Sequence, residues 1–251
     1  VNEKSSCKWF SFTQEEPGCK TWATFVNETL SPERYYNIAQ SGAGNQYICD
    51  STIEFLESTQ FDPLDTTVVI MWSGIGRKDL HIGGSWHYHF KDFYGVTCKR
   101  NDETYFLHSG GLTDSWLSNK EIRKIFEPIY KIADPLSLCK ENLLLFIKLK
   151  SYLVSKGYKF IFTNYFNTWN PDVESTHGGD YCIAYFCKQF PIYNNFDFAN
   201  WKFANANRDC LGDLAHERNG LDDTWHPTVQ MHEQFSKTVI QWIEETPTTI
   251  I

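Results

Sequence analysis

A chain of 251 residues lies at the upper end for one domain, so the expectation is a single core over residues 1–251 carrying long insertions. A formal net charge of −8 and a pI near 5.5 leave no basic run to neutralise phosphates, which argues against nucleic acid or an anionic membrane surface as partner. No apolar stretch approaches the roughly 18 residues of a membrane span, and no charged segment followed by an apolar one opens the chain. The expectation is therefore a cytoplasmic protein, although secretion after removal of a signal peptide is also compatible with the sequence.

Near the N-terminus Trp22, Phe25, Val26 and Leu30 recur at helical spacing, and residues 36–39 read as a short strand. The unit then repeats. Ile48, Thr52, Phe55 and Leu56 form one helix face, Pro63 closes a loop, and residues 68–72 form an unbroken apolar run that predicts a central buried strand. Residues 74–114 are rich in Gly, His and aromatic side chains without sustained periodicity and read as an insertion near the mouth of the sheet.

Residues 117–130 and 135–156 predict two helices, the second ending at Gly157, where a left-handed cap fits, and residues 159–163 predict another strand. A second insertion spans 164–219, with one possible strand at 181–186. The last helix is expected to start after Pro227, a residue suited to a first helical turn, and to present Met231, Phe235, Val239 and Trp242 on one face. Strands alternating with helices predict an α/β fold, a three-layer α/β/α sandwich on a mostly parallel sheet of about five strands.

Eight cysteines at scattered spacings form no C-x-x-C pair, and a domain of this size does not need disulfides, so most are expected to be buried thiols. Aromatic residues make up 16% of the chain, including nine Trp and thirteen Tyr, and serve either as core or as flat faces for stacking sugar rings. Asn27-Glu28-Thr29 matches a glycosylation sequon. His81, His87 and His89 raise a metal site, but without a carboxylate at a characteristic spacing the expectation is no metal. Gly42-x-Gly44 lacks the third glycine of a dinucleotide fingerprint.

Acyl transfer needs a hydroxyl nucleophile, an imidazole to take its proton, a carboxylate to orient that imidazole, and N–H donors for the oxyanion. Asp223-Thr224-Trp225-His226-Pro227 offers the carboxylate and imidazole just before the last helix. Phe10-Ser11-Phe12-Thr13, followed by Thr21-Trp22-Ala23, offers the hydroxyl. Asn37-Ile38-Ala39-Gln40-Ser41-Gly42-Ala43-Gly44-Asn45 and Val68-Val69-Ile70-Met71-Trp72-Ser73-Gly74 lie between them. Taken in this order, the four blocks resemble those of the SGNH (GDSL-like) hydrolase family, including its small phage-encoded members.

The resemblance implies a flavodoxin-like SGNH fold and a serine esterase with Ser11 as nucleophile, His226 as base and Asp223 as its orienting carboxylate, working without a cofactor. It implies oxyanion donors at the Ser11 and Gly42 N–H groups. The chain departs from the family where Trp9-Phe10 precedes Ser11 and where Gly74-Ile75-Gly76-Arg77 lacks the Asn that donates a hydrogen bond in the third block. Asn45 is expected either to replace that donor or to cap the following helix. The substrate class is a small-molecule or carbohydrate ester, for example an O-acetyl or other O-acyl group. The competing reading is a catalytically inactive protein of the same fold that binds a glycan or protein through its aromatic-rich insertions.

Overall fold

The computed structural model describes residues 6–9, 20–40, 42–83, 97–99, 104–108, 120–166, 201–204, 210–221 and 226–246. In chain order these form β1 (Ser6–Trp9), α1 (Trp22–Leu30), β2 (Tyr35–Asn37), α2 (Asn45–Thr59), β3 (Thr66–Trp72), β4 (Asp79–Gly83), β5 (Thr97–Lys99) and β6 (Thr104–His108). They continue with α3 (Lys120–Ile132), α4 (Pro135–Ser155), β7 (Lys159–Asn164), α5 (Leu211–Glu217) and α6 (Val229–Glu245). The fold is mixed α/β, as the alternation of strand and helix predicts.

Four strands form a parallel sheet in the order β2-β1-β3-β7. A single parallel bridge between Phe162 and Trp201, with Lys202 N–H donating to Phe162 O at 2.8 Å, extends it beyond β7. Every residue of β3 is buried, because the strand is sandwiched on both faces. Val68, Ile70, Trp72, Phe160 and Phe162 pack on one face against α2 and α4. Val69, Met71 and Ile161 pack on the other face against α1, α5 and α6. Strand residues alternate sides, so a continuous apolar run supplies both layers at once.

From β1 the chain first steps outward to β2 and then returns across β1 to β3, so the direction of winding reverses between β1 and β3. In open parallel sheets such a reversal opens a crevice at the carboxyl ends of the two strands, where ligands bind.

Helix ends follow local chemistry. The N-cap of α4 is Asp134, whose carboxylate accepts the Ser137 N–H at 2.8 Å, with Pro135 at the first helical position. At its other end Gly157 takes a φ of +76°, with Gly157 N–H donating to Val154 O at 3.0 Å and Tyr158 N–H to Leu153 O at 3.0 Å. This is the left-handed cap expected there. The last helix starts after Pro227, as expected, with Pro227 itself lying ahead of the first turn. The cap of α6 is Thr228, whose hydroxyl accepts Met231 N–H at 3.4 Å, and the helix begins at Val229. Pro227 forms an antiparallel bridge with Leu221.

The segment read as irregular between 74 and 114 contains a second, antiparallel sheet in the order β4-β6-β5. Leu107 on this sheet packs against Phe126 of α3, with Leu80, Ile82, Ile125 and Ile129 around them. The possible strand at 181–186 lies outside the described residues. Among the described residues no helix is long and apolar enough to cross a membrane. Cys49, Cys139 and Cys210 are buried thiols, and burial pushes Cys49 up to about 12, so it is no nucleophile at neutral pH.

Candidate active site

The described parts of β1, β2 and β3 end at the carboxyl edge of the parallel sheet, next to segments singled out in the sequence. The chain leaves β1 at Trp9, two residues before Ser11, which itself lies outside the described residues. Beyond β2, Gly42 sits in a turn with a φ of +74°, a left-handed conformation that favours glycine. Beyond β3 come Ser73 and Gly74.

The last helix reaches the same edge by its N-terminus. Lys159, at the start of β7, donates from Nζ to Ile243 O at 2.5 Å, which pins the C-terminal end of α6 to the opposite, amino edge of the sheet. A helix of 17 residues rises about 25 Å, enough to carry its N-terminus across the sheet. The Thr228 N–H donates to Gly220 O at 2.8 Å, and the exposed His226 lies two residues before that cap. Asp223 lies outside the described residues.

Asn45 is placed differently from either expectation. Gly44 is the N-cap of α2, so Asn45 is its first helical residue, and its side chain is 1% exposed. Its Oδ1 accepts the Ser73 N–H at 2.8 Å, which fixes the orientation of the amide. Its Nδ2 donates to Ser73 O at 3.1 Å and to Asn142 Oδ1 at 2.6 Å. Asn142 in turn donates to Ile75 O at 3.0 Å and Leu138 O at 2.8 Å. Both amide hydrogens of Asn45 are committed to buried acceptors, which leaves none for an oxyanion. Its role is to tie α2 and α4 to the segment following β3.

Three residues with no evident signature in the sequence shape this edge. Asp79, at the start of β4, accepts the Gly44 N–H at Oδ1 and the Tyr47 N–H at Oδ2, both at 2.8 Å, and thereby serves the otherwise unmatched donors of the α2 N-terminus. The Nδ1 of His108 lies 2.8 Å from the same carboxylate, and both side chains are fully buried. The third is His232, one turn into α6. Burial, with a smaller contribution from nearby His226, pushes His232 down to about 4.

That shift makes stability depend on pH. The unfolded chain takes up a proton near the ordinary histidine value of 6.5, which the folded protein refuses until about 4, so stability falls as the pH drops between them. Roughly 2 kcal/mol is expected to be lost to this group between pH 7.5 and pH 5. Urea titrations across that range should show it, and His232→Gln should flatten the slope relative to the parent. Parallel slopes in the two proteins would remove His232 as the cause.

His81, the one member of the histidine trio among the described residues, points its Nε2 to within 3.7 Å of Asp50 Oδ2, a carboxylate already paired with Lys148 at 2.7 Å. His87 and His89 lie outside the described residues. Among the described residues no group of three or more His, Cys, Asp or Glu stands together to hold a metal ion.

No family model matches the chain, and no curated protein matches it in sequence. Among solved structures it is similar to the lipase Lip_vut3 from a goat rumen metagenome, at 10% identity over 95% of this chain and 97% of that one, with a TM-score of 0.46. It is similar also to protein YXIM from Bacillus subtilis, at 10% identity over 97% of this chain and 57% of that one, again with a TM-score of 0.46. Likeness at this level carries no argument about chemistry.

Proposed function

We propose that this chain is a serine ester hydrolase of the SGNH type, with Ser11 as nucleophile, His226 as base and Asp223 as the carboxylate that orients the imidazole. The observation that carries the reading is the strand order β2-β1-β3-β7. It brings the ends of β1, β2 and β3 to one edge of the sheet, and the N-terminus of α6 reaches that edge too. The four sequence blocks, far apart in the chain, follow or precede these same elements.

In the proposed reaction Ser11 Oγ attacks the ester carbonyl carbon while His226 Nε2 accepts the hydroxyl proton. The tetrahedral oxyanion accepts hydrogen bonds from the Ser11 and Gly42 N–H groups. Its collapse breaks the bond to the alcohol, which departs with the proton from His226, while the acyl group stays bonded to Ser11 Oγ. Water then attacks the acyl-enzyme, passing its proton to His226, and the acid departs as the serine is regenerated. The aromatic content favours an O-acylated carbohydrate as substrate over a long-chain lipid.

Mass-spectrometric mapping after treatment with a fluorophosphonate probe tests the assignment, because only an activated serine reacts quickly. An adduct on Ser11 that disappears in His226→Ala is expected. The absence of any adduct would favour the non-catalytic protein that binds a glycan or protein partner.

A further inference from the structure

The turn at residues 42–44 is held from outside by the segment that follows β3. Ala43 N–H donates to Gln40 O at 3.3 Å, and Ala43 O accepts from Arg77 Nη1 at 3.5 Å. Gly44 N–H donates to Asp79 Oδ1 at 2.8 Å, and Gly44 O accepts the Ile48 N–H at 3.2 Å. Among the described residues no hydrogen bond is made by the amide of Gly42, the residue with the left-handed φ of +74°. The approach is close. A Cβ on Gly44 would come within 2.9 Å of both Arg77 O and Asp79 Oδ2.

Asp79 is itself immobilised. His108 Nδ1 lies 2.8 Å from its Oδ1, and the imidazole is held edge-on by Tyr47 at 5.1 Å and stacked over Phe106 at 6.2 Å with an interplanar angle of 7°. A carboxylate buried with such partners has one rotamer available, so whatever it grips inherits that rigidity. What it grips is the backbone two residues from the Gly42 N–H.

We propose that Asp79, braced by His108, is a positioning residue of the ester-hydrolysing site, fixing the 42–44 turn so that the Gly42 N–H is aimed at the oxyanion. The inference rests on the reading of Ser11 and Gly42 given above. Donors contribute most to catalysis when they need no reorganisation as charge develops, and a turn clamped on both sides supplies that condition. The antiparallel sheet β4-β6-β5 thereby acquires a role at the site without touching substrate.

The test compares the parent with Asp79→Asn, which keeps one acceptor oxygen, and with Gly44→Ala, which pushes on the same clamp from the other side. The readouts are kcat and KM for p-nitrophenyl acetate and the rate of Ser11 phosphonylation by a fluorophosphonate. Each variant is expected to lose on the order of 10²-fold in kcat and in phosphonylation rate. KM is expected to stay within about twofold, because the interaction lost belongs to the transition state.

Leu153→Ala, a core truncation at the opposite edge of the sheet, should lower Tm while leaving kcat at the parental value. An unlabelled parent would overturn the serine-esterase reading and this inference with it. A labelled parent whose two variants keep parental kcat would overturn this inference alone. A kcat loss reproduced by Leu153→Ala at matched Tm would do the same.

Discussion

Ser11→Ala is expected to lower ester hydrolysis by at least on the order of 10⁴-fold in kcat, with KM little changed and the folded structure intact. The hydroxyl is the atom that forms the acyl bond, so its removal leaves only the oxyanion donors and substrate binding to accelerate attack by water. His226→Ala should cost a similar factor. Combining the two should cost scarcely more than either alone, since nucleophile and base act as one unit and their effects are not additive. Steady-state kinetics on a chromogenic acetate ester, with the three variants side by side, supply the comparison. Losses that multiply would show that the two residues act independently and would sink the triad.

Asn45→Ala is the second large effect, and it falls on stability. The substitution strips partners from the Ser73 N–H, the Ser73 carbonyl and Asn142 Oδ1, all of which Asn45 now serves. Buried polar groups left without partners each cost about 1–3 kcal/mol, so a loss of about 3 kcal/mol is expected in chemical denaturation. Asn142→Leu should also destabilise. The pair should show a coupling of about 1 kcal/mol or more in a double-mutant cycle, because each residue then lacks a partner that the other has already lost. A change below about 0.5 kcal/mol in Asn45→Ala would mean that these groups find other partners.

The parts of the fold that sequence patterns reveal are those whose causes are local. β3 and β7 carry the unbroken apolar runs 68–72 and 160–162 because both faces of each strand are covered, and α4 ends where Gly157 permits a left-handed turn. α6 starts after Pro227, as its local sequence suggests, whereas the bridge that places Pro227 beside Leu221 has no local signal. β1 has few aliphatic residues for a central strand, yet it pairs in parallel with neighbours on both sides.

The candidate site was legible to a lesser degree. Block order pointed to Gly42 and His226, but the partners of Asn45 lie 28 and 97 residues away, and no local pattern distinguishes a clamp from a cap or a donor. Asp79 has no local signature for the same reason. It is a charged residue opening a short strand, and only Gly44, Tyr47 and His108, 29 to 35 residues distant, make its burial favourable.

The packing of α1 against α6 has a consequence for how the protein comes to be folded. Trp22 meets Phe235 edge to face, with ring centroids 5.9 Å apart, although some two hundred residues separate them in the chain. One side of the parallel sheet therefore stays covered only in part, by α1 and α5, until α6 has been synthesised and has docked. A growing polypeptide would meanwhile leave Val69, Met71 and Ile161 incompletely covered, an adhesive strip of the kind that chaperones bind. Slow, late closure is expected from a topology so rich in distant contacts, and a ribosome-stalled chain halted before residue 229 should aggregate or recruit chaperones where a chain that includes α6 does not.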